Sequence, residues 1–353
     1  MLVIDAHLDL SWSALNWNRD LTQDVTIIRE AEAGMDQRGR GANTVSFPSM
    51  RQGKVAICLA TLLARANPKG KSPMLDFRNQ TIAAAMAQGQ LAYYRILEKQ
   101  GYLRRLDDWR SIEMHFGEWQ SSAGTNAPLG YILSMEGADP IQSPEDLQHW
   151  WNYGLRALGL AHYGPSAYAH GTASTGGLTA RGIELVQLMD ELGMILDATH
   201  LAEESFWQAL ELFHGTVIAS HNNCRELVPG DRQFSDEQIR KLVERDAVIG
   251  AAFDNWMLYP GWVAGQTPSS VVSLENVIDH IDHVCQLAGN TQHAAIGSDL
   301  DGGFGREQSP GDLDTIADLQ KIPLLLKKRG YAEADVEAIL HGNWLRVFRK
   351  AWE

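Results

Sequence analysis

Histidines and carboxylates recur at one kind of place in this sequence, just after a short apolar run. His7 and Asp9 close the first run, Glu136 follows YILSM, and His162 follows ALGLA. His200 comes one residue after MILDA, His221 follows TVIAS, and Asp299 follows AAIGS. Imidazole and carboxylate together suit zinc and similar divalent ions. Two apart on a strand, His7 and Asp9 project to the same side and can converge on one ion; the plain alternative is a surface His beside a helix-capping Asp. A carboxylate such as Glu136, between an apolar run and a Gly turn, is expensive to bury without a cationic partner. A pair of metal ions would be such a partner, and one carboxylate can bridge both, whereas in a polar loop Glu136 would simply be solvated. His200 and His221 end runs separated by one helical stretch, which favours a shared ligand, although either alone reads equally as a hydrogen-bonded structural residue. Asp299 and Asp301 share IGSDLDGG, where an Asp can ligate a metal, act as a general base, or form a turn. Asp299 is nearer the strand end and is the favoured one. The loop lacks the closing acid of an EF-hand.

The apolar runs that carry these residues are Leu2–Ala6, Lys54–Leu63, 131–135, 157–161, 194–198, 216–220, 247–253 and 294–298. Continuous apolar runs are the mark of parallel strands buried on both faces. Helical patterns lie between most of them, clearest over Phe77–Gln100, Ile183–Leu192, Glu203–Phe213 and Asp236–Glu244. Gly39–Ala42 and Arg65–Pro73 read as loops. Eight strands alternating with helices predict a (β/α)₈ barrel spanning residues 1–353 as one domain, with an open doubly wound sheet as the alternative. In a barrel every chemically capable position above falls on the C-terminal rim, where such enzymes keep their active sites.

Other chemistries lack their signatures. There is no G-x-S-x-G, no HExxH, no P-loop and no GxGxxG after the first strand. Cys224 follows His221 closely, yet nothing else assembles a Cys–His nucleophile. A formal net charge of −14 disfavours nonspecific binding to nucleic acid or anionic membranes. Three widely spaced cysteines, Cys58, Cys224 and Cys285, argue against a disulfide framework and for a reduced, cytoplasmic compartment. MLVIDAHLDL has neither the basic nor the long apolar region of a signal peptide, and no run is long enough to cross a membrane.

The set as a whole resembles the membrane (renal) dipeptidase family, peptidase family M19, of the amidohydrolase superfamily. The resemblance rests on IDAHLDLSW, LSMEGADP, LGLAHYGPSAYA, GGLTARGIELVQLMDELGMILDATH, IASHNNCREL with the following GDRQFSDEQI, and AIGSDLDG, in that order. It implies a barrel with a binuclear zinc centre that cleaves dipeptides. Carried over by position, His7 and Asp9 would hold the first metal, His200 and His221 the second, and Glu136 would bridge them. Asp299 matches the acid that handles protons, His162 the histidine that polarises the scissile carbonyl, and Arg232 the arginine that takes the substrate's C-terminal carboxylate. Thr199, Ser220-His221-Asn222 and the GADP turn depart from the usual pattern. They leave the ligands intact and bear on substrate preference. The family also suggests a homodimer, and the absence of a leader or lipid-anchor tail resembles bacterial-type cytosolic members.

The implied chemistry is coherent. Two ions sharing a water lower its pKa and make hydroxide available near neutrality. His162 would stabilise the oxyanion, Asp299 would accept the water's proton and pass it to the leaving amine, and Arg232 would measure substrate length through a bidentate pair. Two other functions fit the residues: a relative acting on another small amide, lactone or N-acyl amino acid, and a non-catalytic metal- or ligand-binding barrel.

Overall fold

The computed structural model describes residues 1–72, 74–122 and 127–353, so Pro73, the last residue of the expected loop, lies outside the described residues. Eight parallel strands form the centre: β1 (Val3–Leu8), β2 (Val55–Leu63), β3 (Leu129–Glu136), β4 (Leu155–Gly159), β5 (Ile195–Asp197), β6 (Val217–Ala219), β7 (Val248–Ala251) and β8 (Ala294–Ile296). They pair in sequence order, each parallel to the next. Each coincides with one of the eight apolar runs. Every residue of β1, β2 and β3 is buried, the polar Asp5 and His7 included, as expected of strands packed between a barrel interior and a layer of helices.

The seam between β8 and β1 is closed largely by a side chain. Asp5 accepts from Ser298 N at 2.8 Å and Ser298 Oγ at 2.5 Å, and from His7 N at 3.2 Å. One backbone bond, Asp299 N to His7 O at 3.3 Å, completes the join. Close approach at the rim also depends on glycine. A Cβ on Gly297 would lie 1.7 Å from Ser220 O, and one on Gly250 2.1 Å from the same oxygen, so only residues without a side chain let β7 and β8 close against the turn that carries His221.

Helices form where their caps and apolar faces permit. Asp236–Glu244 matches its expected bounds, with Ser235 and Gln238 in a capping box. Helix Ala180–Leu192 begins three residues earlier than the apolar pattern, because Thr179 caps it by accepting from Gly182 N at 3.0 Å. Helix Gln80–Lys99 begins three residues later than expected, with Asn79 as its cap. The residues before it are taken by a short parallel ribbon in which Asp76–Phe77 pairs with Arg65–Ala66. A further short strand, Leu103–Arg105, pairs with the N-terminal end of β3. Both additions lie in the long excursion between β2 and β3. Among the described residues no helix is long and apolar enough to cross a membrane.

Candidate metal centre and active site

The rim of the barrel gathers His7, Asp9, Glu136, His162, His200, His221 and Asp299 into one cluster. From His7 Nε2 the distances are 3.8 Å to Asp9 Oδ2, 3.7 Å to Glu136 Oε2 and 3.8 Å to Asp299 Oδ1. The other oxygen of Glu136 faces the opposite group, with Oε1 3.0 Å from His200 Nε2, 3.2 Å from His221 Nε2 and 3.7 Å from His162 Nε2. Donor atoms fall within 4.8 Å of one another in three overlapping sets: His7, Asp9 and Glu136; His7, His221 and Asp299; Glu136, His162 and His200. Glu136 thus stands between two groups, one oxygen towards each.

Local backbone aims these side chains. Asp9 stands at the N-cap of helix Leu10–Trp17 yet makes no capping bond, and its side chain is turned to His7 instead. His200 and Asp299 adopt left-handed backbone, with φ of 67° and 58°, a conformation that disfavours side chains and collects at functional sites. A bracing device appears twice. Asp5 accepts the N–H of His7 and of Ser298, the residues at and before two cluster members. Asp197 does the same for Thr199 N at 3.1 Å and Ser220 N at 3.0 Å, just before His200 and His221. Asp301, by contrast, is absorbed by the scaffold: it accepts from Thr44 N, Thr44 Oγ1 and Val45 N and lies 3.5 Å from Arg19.

The electrostatics call for positive charge. Burial raises the pKa of Glu136 and of Asp299, against the pull of His7. Burial alone would lower His7, but Glu136, Asp9 and Asp299 outweigh it and raise His7 to about 10, so a proton on this ring supplies charge that the carboxylates demand. His162, His200 and His221 are all driven well below their ordinary range, first by burial and then by neighbouring cations. Neutral imidazole is the form that ligates metal. His7 Nε2 and Asp9 Oδ1 are buried without any hydrogen-bond partner. Orphaned donor atoms, neutral rings and a surplus of carboxylate together fit divalent cations.

Beside the cluster lies a cavity of about 240 Å³ lined by Asp9, Glu136, His162, His200, Asp299 and Arg232, with walls from Trp12, Leu63, Leu75, Tyr163, Trp256 and Met257. Arg232 is 3% exposed. Its NH2 donates to His221 O at 2.9 Å, while NH1 has no partner. Among the described residues no carboxylate lies within ion-pair distance of it. Two further charged residues of the cavity, Arg65 and Asp254, were missed in the sequence. Arg65 NH2 pairs with Asp76 Oδ1 at 2.7 Å and its NH1 lies 3.4 Å from His162 Nδ1. Asp254 accepts from Gln308 Nε2 and Trp256 Nε1, each at 2.7 Å, and burial pushes its pKa up to about 7. Asp254 did carry a signal, since it follows AVIGAAF as the other rim residues follow their runs.

Against known families, the model of the membrane dipeptidase family, peptidase family M19, matches residues 1–353. The chain belongs to this family. A metallopeptidase from Rhodobacter sphaeroides, solved with a phosphinate mimic of L-Ala-D-Ala, superimposes with a TM-score of 0.81 at 22% identity, over 100% of this chain and 99% of that one. The probable dipeptidase PvdM of Pseudomonas aeruginosa follows at 0.77 and 16%, over 99% of this chain and 95% of that one. These likenesses speak for the barrel. In sequence, an uncharacterised protein of the pqqA 5′ region of Klebsiella pneumoniae is 30% identical over 64% of this chain and 83% of its own length. The dipeptidase tcpJ of Claviceps purpurea is 29% identical over 63% of this chain and 51% of its own. The match thus spans about half the length of some curated relatives. Membership in a metallopeptidase family accords with the cluster of His, Asp and Glu donors on the rim.

Proposed function

We propose that this M19 family chain is a zinc-dependent dipeptidase. His7 and Asp9 would hold one ion and His200 and His221 a second, with Glu136 standing between the two groups. The observation that carries the substrate assignment is Arg232, a buried guanidinium with an unpartnered N–H in the same cavity as the metal-type cluster. A buried cation without a counter-ion is costly, and a substrate carboxylate supplies one by a charge-assisted pair. The cavity lies below the roughly 300–1,000 Å³ common for drug-sized ligands, which suits a substrate of two residues.

When bound, the two ions supply an activated water and a Lewis acid for the scissile carbonyl. The chain's own residues do the rest. Arg232 fixes the carboxylate end and so sets the distance to the peptide bond. His162 donates to the carbonyl oxygen as charge develops there. Asp299, 3.8 Å from His7, accepts the proton of the attacking water and returns it to the leaving amine. The apolar walls exclude bulk water and strengthen each of these interactions.

The test is a panel of L,L and L,D dipeptides assayed with zinc-loaded protein, with metal analysis of the same sample. Turnover of free dipeptides with about two ions per chain is the expected result. Protein that takes up no divalent ion, or that cleaves no dipeptide after loading, refutes it.

A further inference from the structure

The second ring nitrogens of His162, His200 and His221 divide these three rings into two kinds. His200 Nδ1 lies 3.0 Å from Thr172 Oγ1, and that hydroxyl donates to His200 O at 3.3 Å. His221 Nδ1 lies 2.8 Å from Ser220 Oγ. A hydroxyl can accept, so in both rings Nδ1 can carry the proton and leave the Nε2 lone pair for a cation. His162 is different. Its Nδ1 faces Arg65 NH1 at 3.4 Å, and a guanidinium has only donors. Nδ1 must therefore accept, which places the neutral ring's proton on Nε2. That atom points into the cluster, 3.7 Å from Glu136 Oε1. A ring nitrogen that carries hydrogen offers no lone pair to a metal and acts as a donor.

The surroundings hold Arg65 in this role. Asp76 pairs with its NH2 at 2.7 Å and sits opposite it in the short parallel ribbon. The other oxygen of Asp76 accepts from Ser72 N at 3.0 Å. Asp139 accepts from Ala66 N at 2.8 Å and Ala167 N at 2.9 Å, tying the Arg65 segment to the loop that follows His162. The ribbon between β2 and β3 thus delivers one guanidinium to one imidazole.

We propose that Arg65 is a positioning residue. It withholds His162 from the metal ligand set and presents the ring's Nε2–H as a hydrogen-bond donor to the substrate's carbonyl oxygen. The identity of that acceptor rests on the dipeptidase reading; the donor state of His162 does not.

The experiment has two arms. In the first, ¹⁵N-histidine-labelled protein is examined by NMR, free and zinc-loaded, with His162→Gln to assign the ring. The expected result is a proton on Nε2 and none on Nδ1 of His162 in the wild type and in Arg65→Lys. Loss of that single state is expected in Arg65→Met. In the second arm, Arg65→Met lowers kcat on a dipeptide by about tenfold to a hundredfold, less than the roughly 10²–10³ of an oxyanion donor removed outright, with KM changed by less than about threefold. Arg65→Lys recovers most of the rate, and Arg65→Met added to His162→Gln costs nothing more. Asp76→Asn, which releases the other end of Arg65, acts in the same direction if Arg65→Met fails to fold. A proton on Nδ1 of His162 in the wild type overturns the proposal. So does an Arg65 effect that persists undiminished without His162, since Arg65 would then contact substrate itself. A wild type without dipeptidase turnover refutes the functional reading, while the first arm still decides the state of His162.

Discussion

Glu136→Gln separates what the carboxylate does for the fold from what it does for metal. The substitution keeps the side chain's volume, removes its charge, and replaces one oxygen with a donor. Glu136 offers one oxygen to His7 and the other to His200 and His221, so in the proposed two-ion centre both ions would lose a ligand charge at once. An ion held at a hundred times its Kd stabilises the native state by about 2.7 kcal/mol, so two independent ions give about 5.4. For 353 residues the unfolding entropy is about 0.74 kcal/mol per kelvin, from roughly 2.1 cal/mol/K per residue. Zinc should therefore raise the wild-type Tm by about 7 °C. If the variant binds each ion a hundredfold more weakly, its gain at the same free zinc falls to about 0.8 kcal/mol, or about 1 °C. In chelator the sign reverses. Burial raises the pKa of Glu136, and a carboxyl raised in the folded state loses its contribution as pH climbs through its folded value. Metal-free Glu136→Gln should then be at least as stable as metal-free wild type at pH 8. Thermal scans in chelator and in buffered zinc, with metal content measured on the same samples, read both signs. A variant that keeps the full zinc gain and its two ions refutes the bridging role. A wild type that gains nothing refutes the metal centre.

Arg232→Met is expected to lower kcat/KM on a free dipeptide by about a hundredfold to a thousandfold, the scale of a lost buried charge pair, and to leave the corresponding dipeptide amide little changed. Steady-state kinetics on the two substrates decide it, an equal loss on both being the refuting result. Asp299→Asn should reduce turnover by about 10²- to 10⁴-fold, the usual span for a general base, with most of the bound metal retained; loss of the ions along with the rate would make Asp299 a ligand first. Asp254→Asn preserves the helix cap and removes a carboxyl whose pKa burial raises to about 7. The wild-type contribution is intact below the unfolded value near 4 and is lost as pH rises through about 7. The variant should therefore be the more stable protein at pH 8, by up to about 4 kcal/mol, and show no advantage at pH 4. Chemical denaturation at the two pH values measures this, and a gain confined to low pH contradicts it.

The barrel was legible because strands buried on both faces need uninterrupted apolar sequence, and each of the eight runs forms one. The rim was legible for the same reason: a polar residue ending such a run has few places to go except the strand's end. What remained hidden is held together by contacts distant in sequence. Two-residue strands such as Arg65–Ala66 have no periodicity to read, and nothing local pairs them with Asp76–Phe77. The segment therefore reads as a loop, which hides Arg65. Asp5 and Asp197 are hard to read because each sits inside an apolar run, where a lone carboxylate looks like an interruption. Their signal was repetition, since IDAH in β1 and LDATH at the end of β5 set an Asp shortly before a rim histidine. SD in β8's turn and SH in β6's turn set a Ser just before its partner.

That repetition explains how a cluster of like charges keeps its geometry. Left-handed backbone at His200 and Asp299 costs about 1–3 kcal/mol per residue, and the rim carboxylates repel one another where water cannot screen them. A structure free to relax would turn these side chains outward. Asp5 and Asp197 prevent this by accepting backbone N–H groups from both strands at two places on the rim. Each thereby fixes the turn that carries a rim residue to the turn that carries its neighbour. At β8 and β1 the same carboxylate also closes the barrel. Fold closure and site geometry consequently depend on the same bonds, and the strain at the rim is balanced by the barrel as a whole. Such a site is organised before it is filled, so in the proposed metal centre the energy of cation binding would go into neutralising the carboxylates and little of it into ordering the loops.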